Sequence, residues 1–552
     1  FALSALGTAQ TVTVDLALDD FMDFGGAQRV ADLPGPDGHV TVREAVTAAN
    51  NTPGAQTIAF AIPTSEWSIF FSDRAVIRLE SMLYLSDDDT TLDFASQASF
   101  TGDTNPLGGE VGLQYAGPPA GIPSLWLAAN GCTVRGLDVT FGNNFGNGIW
   151  LTGNGNRVVG CTTGGLTIRG DYGGGSANVV GGTIPGEGNT FNESVDVLSR
   201  ANDNVLVGNT FRWGLRISGD TFWGTCDRNR VGGPTVAERN VLAGHGYYGE
   251  EGFPTGTQLE VFHARDTLVQ GNFVGTNATG TAEYVGRAGT GGIAVGLGAV
   301  GTQVLDNLVS GIVMVGANHY QGVRFGVGIA VVASATDTLL AGNTVGLATD
   351  GLTPIPNVAG ILVQSDPNGA PANTRVGDAL LGGNHVAGNE QNGVQIGFAT
   401  EGVELVANSI HDNGALGIDL IGSGGAGVTP NDALDLDLGA NHLQNFPVLT
   451  NALRVGHTLF LRGELASEAG RAYRIDFFAS PTIDPTGHGE GERFLGSTRV
   501  TTDASGRATF VARPDGIAPT GWYTSATATD LARGETSEFS RGRQLRALAG
   551  VR

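Results

Sequence analysis

Apolar residues in this chain come in short runs of two or three, interrupted by glycine or a polar residue. One pattern recurs: two apolar residues, a small or polar one that is often Gly, then Asn, then more apolar residues. It reads VLVGNTF at Asn209, LVQGNFVG at Asn272, VLDNLVSG at Asn307, LLAGNTVG at Asn343, LLGGNHVAG at Asn384 and LVANSI at Asn408. Near variants are CTVRGLDV at Cys132 and RVVGCTT around Cys161. Spacings run from 24 residues (Asn384 to Asn408) to 63 (Asn209 to Asn272). The shortest is about one coil of a β-solenoid. The longer ones imply insertions, or several coils between clear matches. An α/β domain would need amphipathic helices of about 10–15 residues between its strands, and these are missing. The pattern predicts an all-β, right-handed parallel β-helix whose coils offer two or three short strands joined by tight turns. Gly supplies the positive φ of those turns. Asn tolerates the left-handed region, and in successive coils its amide can stack as a hydrogen-bonded ladder. The recurring Asn is therefore structural and is not assigned to a site.

One segment breaks the pattern. In VTVREAVTAANNTPGAQTIAF (Val40 to Phe60), Thr41 and Glu44 fit a capping box, and Val42, Ala45, Val46 and Ala49 form one apolar helical stripe. NNTPG ends the helix and AQTIAFAIP begins a strand. A solenoid needs a terminal cap, because its first coil otherwise exposes apolar side chains and unpaired strand groups. The lone helix is predicted to be that lid.

After Pro447 the alternation changes. LFLRGELA, YRIDFFAS, RFLGSTRVTTD, RATFVARP and YTSATATD follow at short intervals, with TDASGRA (Thr502 to Ala508) read as a hairpin turn. About seven strands in roughly a hundred residues predict an Ig-like β-sandwich, serving as a spacer or attachment module. The expected organisation is an N-terminal strand, capping helix and first coils over 1–105, a parallel β-helix over 106–430, an acidic linker over 431–443 and the sandwich over 444–552.

The stretch DFGGAQRVADLPGPDGHVTVREAVTAANNTPGAQTIAFAIP resembles the N-terminal region of bacterial secreted right-handed parallel β-helix repeat proteins with an LREA-type cap motif. SQASFTGDTNP (Ser96 to Pro106), GNFVGTNATGTA (Gly271 to Ala282) and GVTPNDALDLDLGANHLQNFPVLTNA (Gly427 to Ala452) extend the resemblance over most of the chain. It implies the architecture and a bacterial, secreted or cell-surface location. The family resembles both polysaccharide-active enzymes and surface adhesins, and fold does not decide between them.

Composition narrows the partners. The formal net charge is −24, and every basic residue is Arg. No basic stripe for nucleic acid is present, and the acidic balance disfavours anionic membranes. No segment reaches the ~18 apolar residues that span a bilayer. The opening FALSALGTAQ resembles the end of a signal peptide. Cys132, Cys161 and Cys226 fit neither a disulfide framework nor a zinc site, and are read as buried free thiols.

No P-loop and no H-E-x-x-H occurs, no organic cofactor is implied, and NNFGNGIW is read as turn chemistry. The informative places are insertions between repeats, at 245–265 and 312–326, since insertions on one face of a solenoid are commonly its binding face. They carry His263, Tyr248, Arg265, His319, Tyr320 and Arg324. An earlier rung adds Trp213, Arg216 and Trp223, with the Trp rings suited to stacking on sugars. For β-elimination on a uronate-containing polysaccharide, His263 or Tyr248 would be the base and His319 or Tyr320 the acid. Arg265, Arg324 or Arg216 would hold the carboxylate. For glycoside hydrolysis, Glu250, Glu251, Asp220 and Asp266 supply carboxyls, and two must face each other across the bond. A non-catalytic surface or adhesive protein that binds a cell-surface glycan, with oligomerisation open, is the third reading. In NDALDLDLGAN, Asp435 and Asp437 alternate onto one face. Asp432 and Asn441 add oxygens of the kind Ca²⁺ prefers.

Overall fold

The computed structural model describes residues 10–19, 26, 28–68, 70–106, 108–115, 122–139, 148–244, 256–284, 291–313 and 326–547. They fall into two compact units, 1–242 and 243–552. Tyr248, Glu250, Glu251, His319, Tyr320 and Arg324 lie outside the described residues.

The N-terminal unit consists mainly of three sheets of short parallel strands. The first runs from Gln10–Val14 through Gln56–Phe60 to Arg230–Gly232, the second from Ala75–Leu79 to Val241–Leu242, and the third from Leu83–Leu85 to Leu215–Ser218. Strands at this spacing alternate inward and outward residues. In the first sheet Ile58, Leu92, Val134, Val158, Val180, Leu206 and Val231 stand in register and are all buried. Each such side chain contributes roughly 1.5–3 kcal/mol of hydrophobic stabilisation. Repetition along the stack therefore builds a core that no single coil could supply. The helix Val42–Asn50 carries the expected capping box: Glu44 accepts the Thr41 N–H at 2.7 Å, and Thr41 accepts the Glu44 N–H at 3.3 Å. Val42, Ala45, Val46 and Ala49 are buried, and the helix packs on the strands Gln10–Val14, Gln56–Phe60 and Leu83–Leu85.

The C-terminal unit begins with the same architecture. Its three parallel sheets run from Leu268–Gln270 to Val403–Leu405, from Phe273–Val274 to Ser409–His411, and from Thr257–Phe262 to Ile418–Leu420. Asparagines hold the coils together at the corners. The amide of Asn272 donates to Asn307, Asn307 to Asn343, Asn343 to Asn384 and Asn384 to Asn408, at 2.9–3.0 Å. All five are buried. In the N-terminal unit the ladders Asn178–Asn204–Asn229 and Asn189–Asn209–Asn240 work in the same way. Cys132 and Cys161 stand at ladder positions, their backbone N–H groups donating to Asn156 and Asn189. All three thiols are buried and free, and burial pushes each up to about 12.

From Val448 the chain forms two antiparallel sheets. One orders Arg507–Ala512, Thr458–Ala466 and Val448–Val455; the other orders Arg493–Thr501, Ala472–Ser480 and Tyr523–Asp530. Leu461, Leu465, Tyr473, Ile475, Phe477, Phe510 and Ala528 fill their shared core. TDASGRA is not a hairpin turn: Arg493–Thr501 pairs with Ala472–Ser480, whereas Arg507–Ala512 pairs with Thr458–Ala466. The turn crosses between sheets.

These antiparallel sheets do more than extend the chain as a spacer. Their side chains meet the backbone donors that the last coil leaves open. Leu405 N–H reaches Thr536 Oγ1 at 2.9 Å, Asp412 N–H reaches Glu490 at 2.7 Å, and Leu420 N–H reaches Glu538 at 3.1 Å. One acceptor thus serves each of the three parallel sheets. Arg474 adds an ion pair to Glu404 and donates to Leu405 O. An edge that would otherwise template pairing with another chain is covered.

Candidate functional site

The third sheet of the N-terminal unit is built from triplets of the form apolar, X, apolar: LYL at 83–85, LWL at 125–127, IWL at 149–151 and LTI at 166–168. The flanking apolar residues are buried, so X points outward. Register then places Tyr84, Trp126, Trp150, Thr167, Asp196 and Arg216 in one outward column. At the usual inter-strand spacing of about 4.8 Å, the column runs roughly 24 Å.

Its first half is aromatic. Tyr84 and Trp126 meet edge to face at 5.4 Å, and Trp126 meets Trp150 at 5.7 Å. Tyr172, on the turn after the strand Gly165–Arg169, closes on Trp126 at 5.6 Å. The Arg169 guanidinium lies 5.2 Å from the Tyr172 ring and 5.7 Å from the Trp150 ring. Arg169 is held by a two-point bond to Asp171, at 2.6 and 3.1 Å. The indole N–H of Trp126 donates to Thr152 at 2.8 Å, which fixes that ring. Tyr84 and Tyr172 are 45% and 54% exposed, while the two Trp are half-buried, so the rings form an accessible but braced surface.

Its second half is polar. Arg216 Nε donates to Asp196 Oδ1 at 3.0 Å, and Ser194 donates to Oδ2 at 3.3 Å. Burial pushes the Asp196 carboxyl above its ordinary value, against the pull of Arg216. Arg216 is thus already paired with a carboxylate of its own. Past the end of this sheet, Trp223 packs edge to face on Phe222 at 4.9 Å, and both are exposed. Asp220 anchors their turn by accepting both backbone N–H groups, and it also accepts the Ser199 hydroxyl. Both Asp220 oxygens are thus engaged locally. Trp213 is half-buried.

In the C-terminal unit, His263 is half-buried with φ 43°, and Arg265 and Asp266 are exposed. Their intended partners at 245–255 and 314–325 lie outside the described residues.

The acidic segment forms a carboxylate cluster. Ligand oxygens of Asp432, Asp435 and Asp437 lie within 4.8 Å of one another. Asp435 accepts Asn445 N–H at 2.9 Å and the Ser467 hydroxyl at 2.5 Å, and burial pushes its carboxyl up to about 7. Asp432 Oδ1 and Asp437 Oδ1 are buried with no hydrogen-bond partner. Two orphaned anionic oxygens beside a third carboxylate fit a hard divalent cation. Asn441 does not belong to this set. Its Oδ1 accepts Val403 N–H at 3.0 Å and its amide donates to Val403 O and Thr536 O, so it extends the last coil instead.

The aromatic column lies on plain coils, outside the insertions that carry the candidates of the sequence analysis. The signal was there: an aromatic residue at the centre of successive apolar triplets. NNFGNGIW, read as a turn, ends in the strand Gly148–Leu151 that carries Trp150.

No family model and no curated protein matches the chain. Among solved structures it is similar to the Azotobacter vinelandii mannuronan C-5 epimerase AlgE4 A-module, at 12% identity over 61% of this chain and 88% of that one, with TM-score 0.33. It is also similar to the Dettilon tailspike protein, at 11% identity over 91% and 90%, with TM-score 0.37. A tailspike protein mutant of E. coli bacteriophage HK620 in complex with pentasaccharide gives 9% identity over 94% of each chain, with TM-score 0.33.

Proposed function

We propose that the protein binds an extended polysaccharide outside the bacterial cell, along the outer face of the third sheet of its N-terminal unit. The observation that carries this reading is the column Tyr84–Trp126–Trp150, three rings in register on successive coils. Sugar rings present apolar C–H faces that stack on aromatic rings, and aromatic side chains suit a surface with one apolar and one wet side. The strand repeat is close to the length of one sugar unit, so a linear glycan can meet one coil per residue. Arg169–Asp171 and Asp196–Arg216 supply charged hydrogen-bond partners beside the rings. An aromatic patch on a soluble chain that serves no partner is an association hazard. Binding to a panel of neutral and acidic polysaccharides, measured by calorimetry on the full chain, tests the reading. Saturable binding that disappears in Trp126→Ala/Trp150→Ala supports it; no binding across the panel, or binding unchanged in that variant, overturns it.

Cleavage by β-elimination is a separate and finer proposal, placed on residues of the C-terminal unit. Its support is residue type: an imidazole at His263 as base and a guanidinium at Arg265 for the uronate. Unsaturated products absorbing in the near-ultraviolet, lost in His263→Ala, are its test. Release of new reducing ends from neutral glycans would replace it by hydrolysis. Adhesion to cells or glycans without either product leaves a non-catalytic binding protein.

Three further assignments belong to the same proposal. The helix Val42–Asn50 acts as the lid of the first coil, on the support of its buried stripe. The C-terminal sheets form an Ig-like sandwich, on the support of their strand order. Ca²⁺ occupies the Asp432–Asp435–Asp437 cluster, on the support of the two orphaned oxygens.

A further inference from the structure

We propose that His385 and His411 bind a divalent transition-metal ion of the zinc type through the Nε2 atoms of both rings. The inference is independent of the glycan reading, and both residues lie in the C-terminal unit. They stand on neighbouring coils of its second sheet, on the strands His385–Ala387 and Ser409–His411. The rings are 5.0 Å apart and inclined by 31°, and Nε2 faces Nε2 across 2.8 Å. Both side chains are half-buried, and His411 keeps 16% exposure, so the pair is reachable from solvent.

The hydrogen bonds fix where the protons are. Asp412 Oδ2 lies 2.8 Å from His411 Nδ1 and can only accept, so His411 carries its proton on Nδ1. Its Nε2 is then a bare lone pair in the neutral ring. The single proton between the rings belongs to His385 Nε2. A divalent ion that takes the place of this proton finds two imidazole nitrogens aimed at one point; the displaced proton moves to His385 Nδ1, so both ligands stay neutral imidazoles and no net proton is released. At zinc–nitrogen bond lengths of about 2.0–2.1 Å and a tetrahedral angle, the nitrogens must separate to roughly 3.3 Å. That is a half-ångström adjustment within the reach of ring rotation. Water completes the coordination sphere.

Three features distinguish the pair from a chance contact. The rings sit on paired strands of a continuous sheet rather than on loops, which fixes their approach. A carboxylate holds the far nitrogen of one ring, the arrangement that orients metal-bound imidazole. Imidazole nitrogen selects zinc, copper and nickel over the oxygen-seeking calcium and magnesium, so this site and the carboxylate cluster would take different ions.

The test is calorimetric titration of the full chain, stripped with chelator, with ZnCl₂ in non-chelating buffers near neutral pH. About one zinc per chain is expected to be lost in His385→Gln and in His411→Gln while thermal unfolding stays unchanged. It should persist in excess CaCl₂. Asp412→Asn should weaken it about 10–100-fold. If a Gln variant does not fold, the electron paramagnetic resonance spectrum of the unmodified protein with one equivalent of Cu²⁺ decides, two imidazole nitrogens being expected. No zinc uptake by the unmodified protein, uptake unchanged in both Gln variants, or a copper spectrum without nitrogen coupling overturns the proposal.

Discussion

Glu538 Oε1 accepts the backbone N–H of Leu420 at 3.1 Å, while its Oε2 accepts that of Thr429 at 3.0 Å. One side chain of the antiparallel sheets thereby closes the last strand of the third parallel sheet. Burial pushes this carboxyl from its ordinary 4.5 up to about 8, the two N–H donors opposing the shift and Asp419 adding to it. The folded chain therefore holds the proton more tightly than the unfolded chain does. The stabilisation is complete below about pH 4.5 and is lost as pH climbs through 8. Glu490, pushed up to about 7 mainly by burial, acts in the same direction. The thermal midpoint of the C-terminal unit should fall by on the order of 5 °C between pH 6 and pH 9. Glu538→Gln should flatten that slope, since Gln does not titrate, and lower the midpoint at pH 6, since its amide nitrogen cannot accept an N–H. A midpoint that rises over this range would contradict the account.

The aromatic column makes a graded prediction. Trp126 touches Tyr84, Trp150 and Tyr172, whereas Trp150 meets Trp126 and the Arg169 guanidinium. Trp126→Ala should weaken glycan binding more than Trp150→Ala does, because it also frees two neighbouring rings. An aromatic contact contributes roughly 0.5–1.5 kcal/mol beyond its buried area, so each loss should read as about a tenfold change or more in Kd. Isothermal titration with any polysaccharide that binds the unmodified chain gives the comparison. Equal effects would show that the rings act separately.

How much of this was legible in the sequence depends on how local each signal is. The ladder asparagines could be read because each sits in a short repeated frame, as at Asn343 and Asn384. The helix could be read because Thr41 and Glu44 lie three residues apart. Trp126 and Trp150 were visible as residues, but their meaning appears only when coils stack and bring them into register. The closing contacts were out of reach, because Glu538 and Leu420 are 118 residues apart. Asp432, Asp435 and Asp437 were close enough to be grouped, yet Asn441 was placed with them by proximity alone. Its left-handed backbone, φ 46°, turns the amide toward Val403 instead.

The asparagine ladder predicts a position-specific cost. Asn307 donates to Val269 O and Asn343 Oδ1, and accepts both the backbone and the side-chain N–H of Asn272, all at 2.9–3.0 Å. Asn307→Ala leaves these buried groups without partners, and each orphan costs about 1–3 kcal/mol. Asn307→Asp keeps the acceptor but cannot donate, and it buries a charge. Both should destabilise by at least about 3 kcal/mol. Thermal unfolding of the two variants beside Asn451→Ala, a change at an exposed strand position outside the ladder, separates a ladder effect from a general one. Equal small shifts in all three would remove the ladder from the account of stability.

The carboxylate cluster predicts a crossing of stabilities. Without a cation, Asp432, Asp435 and Asp437 repel one another, and burial raises both Asp435 and Asp437 above their ordinary values. Removing one charge should then be neutral or favourable, so metal-free Asp437→Asn should unfold at or above the temperature of the metal-free unmodified chain. Calcium at about 100 times its Kd should stabilise the unmodified chain by about 2.7 kcal/mol and protect 427–445 from proteolysis. The Asn variant, lacking one of the two orphaned oxygens' charges, should gain much less. The order of the two proteins therefore reverses on adding calcium. Structural hydrogen bonding alone cannot produce such a reversal, because it has no dependence on the ion. A fixed order with and without CaCl₂, measured by differential scanning calorimetry, would leave the three aspartates as a buried polar joint and no more.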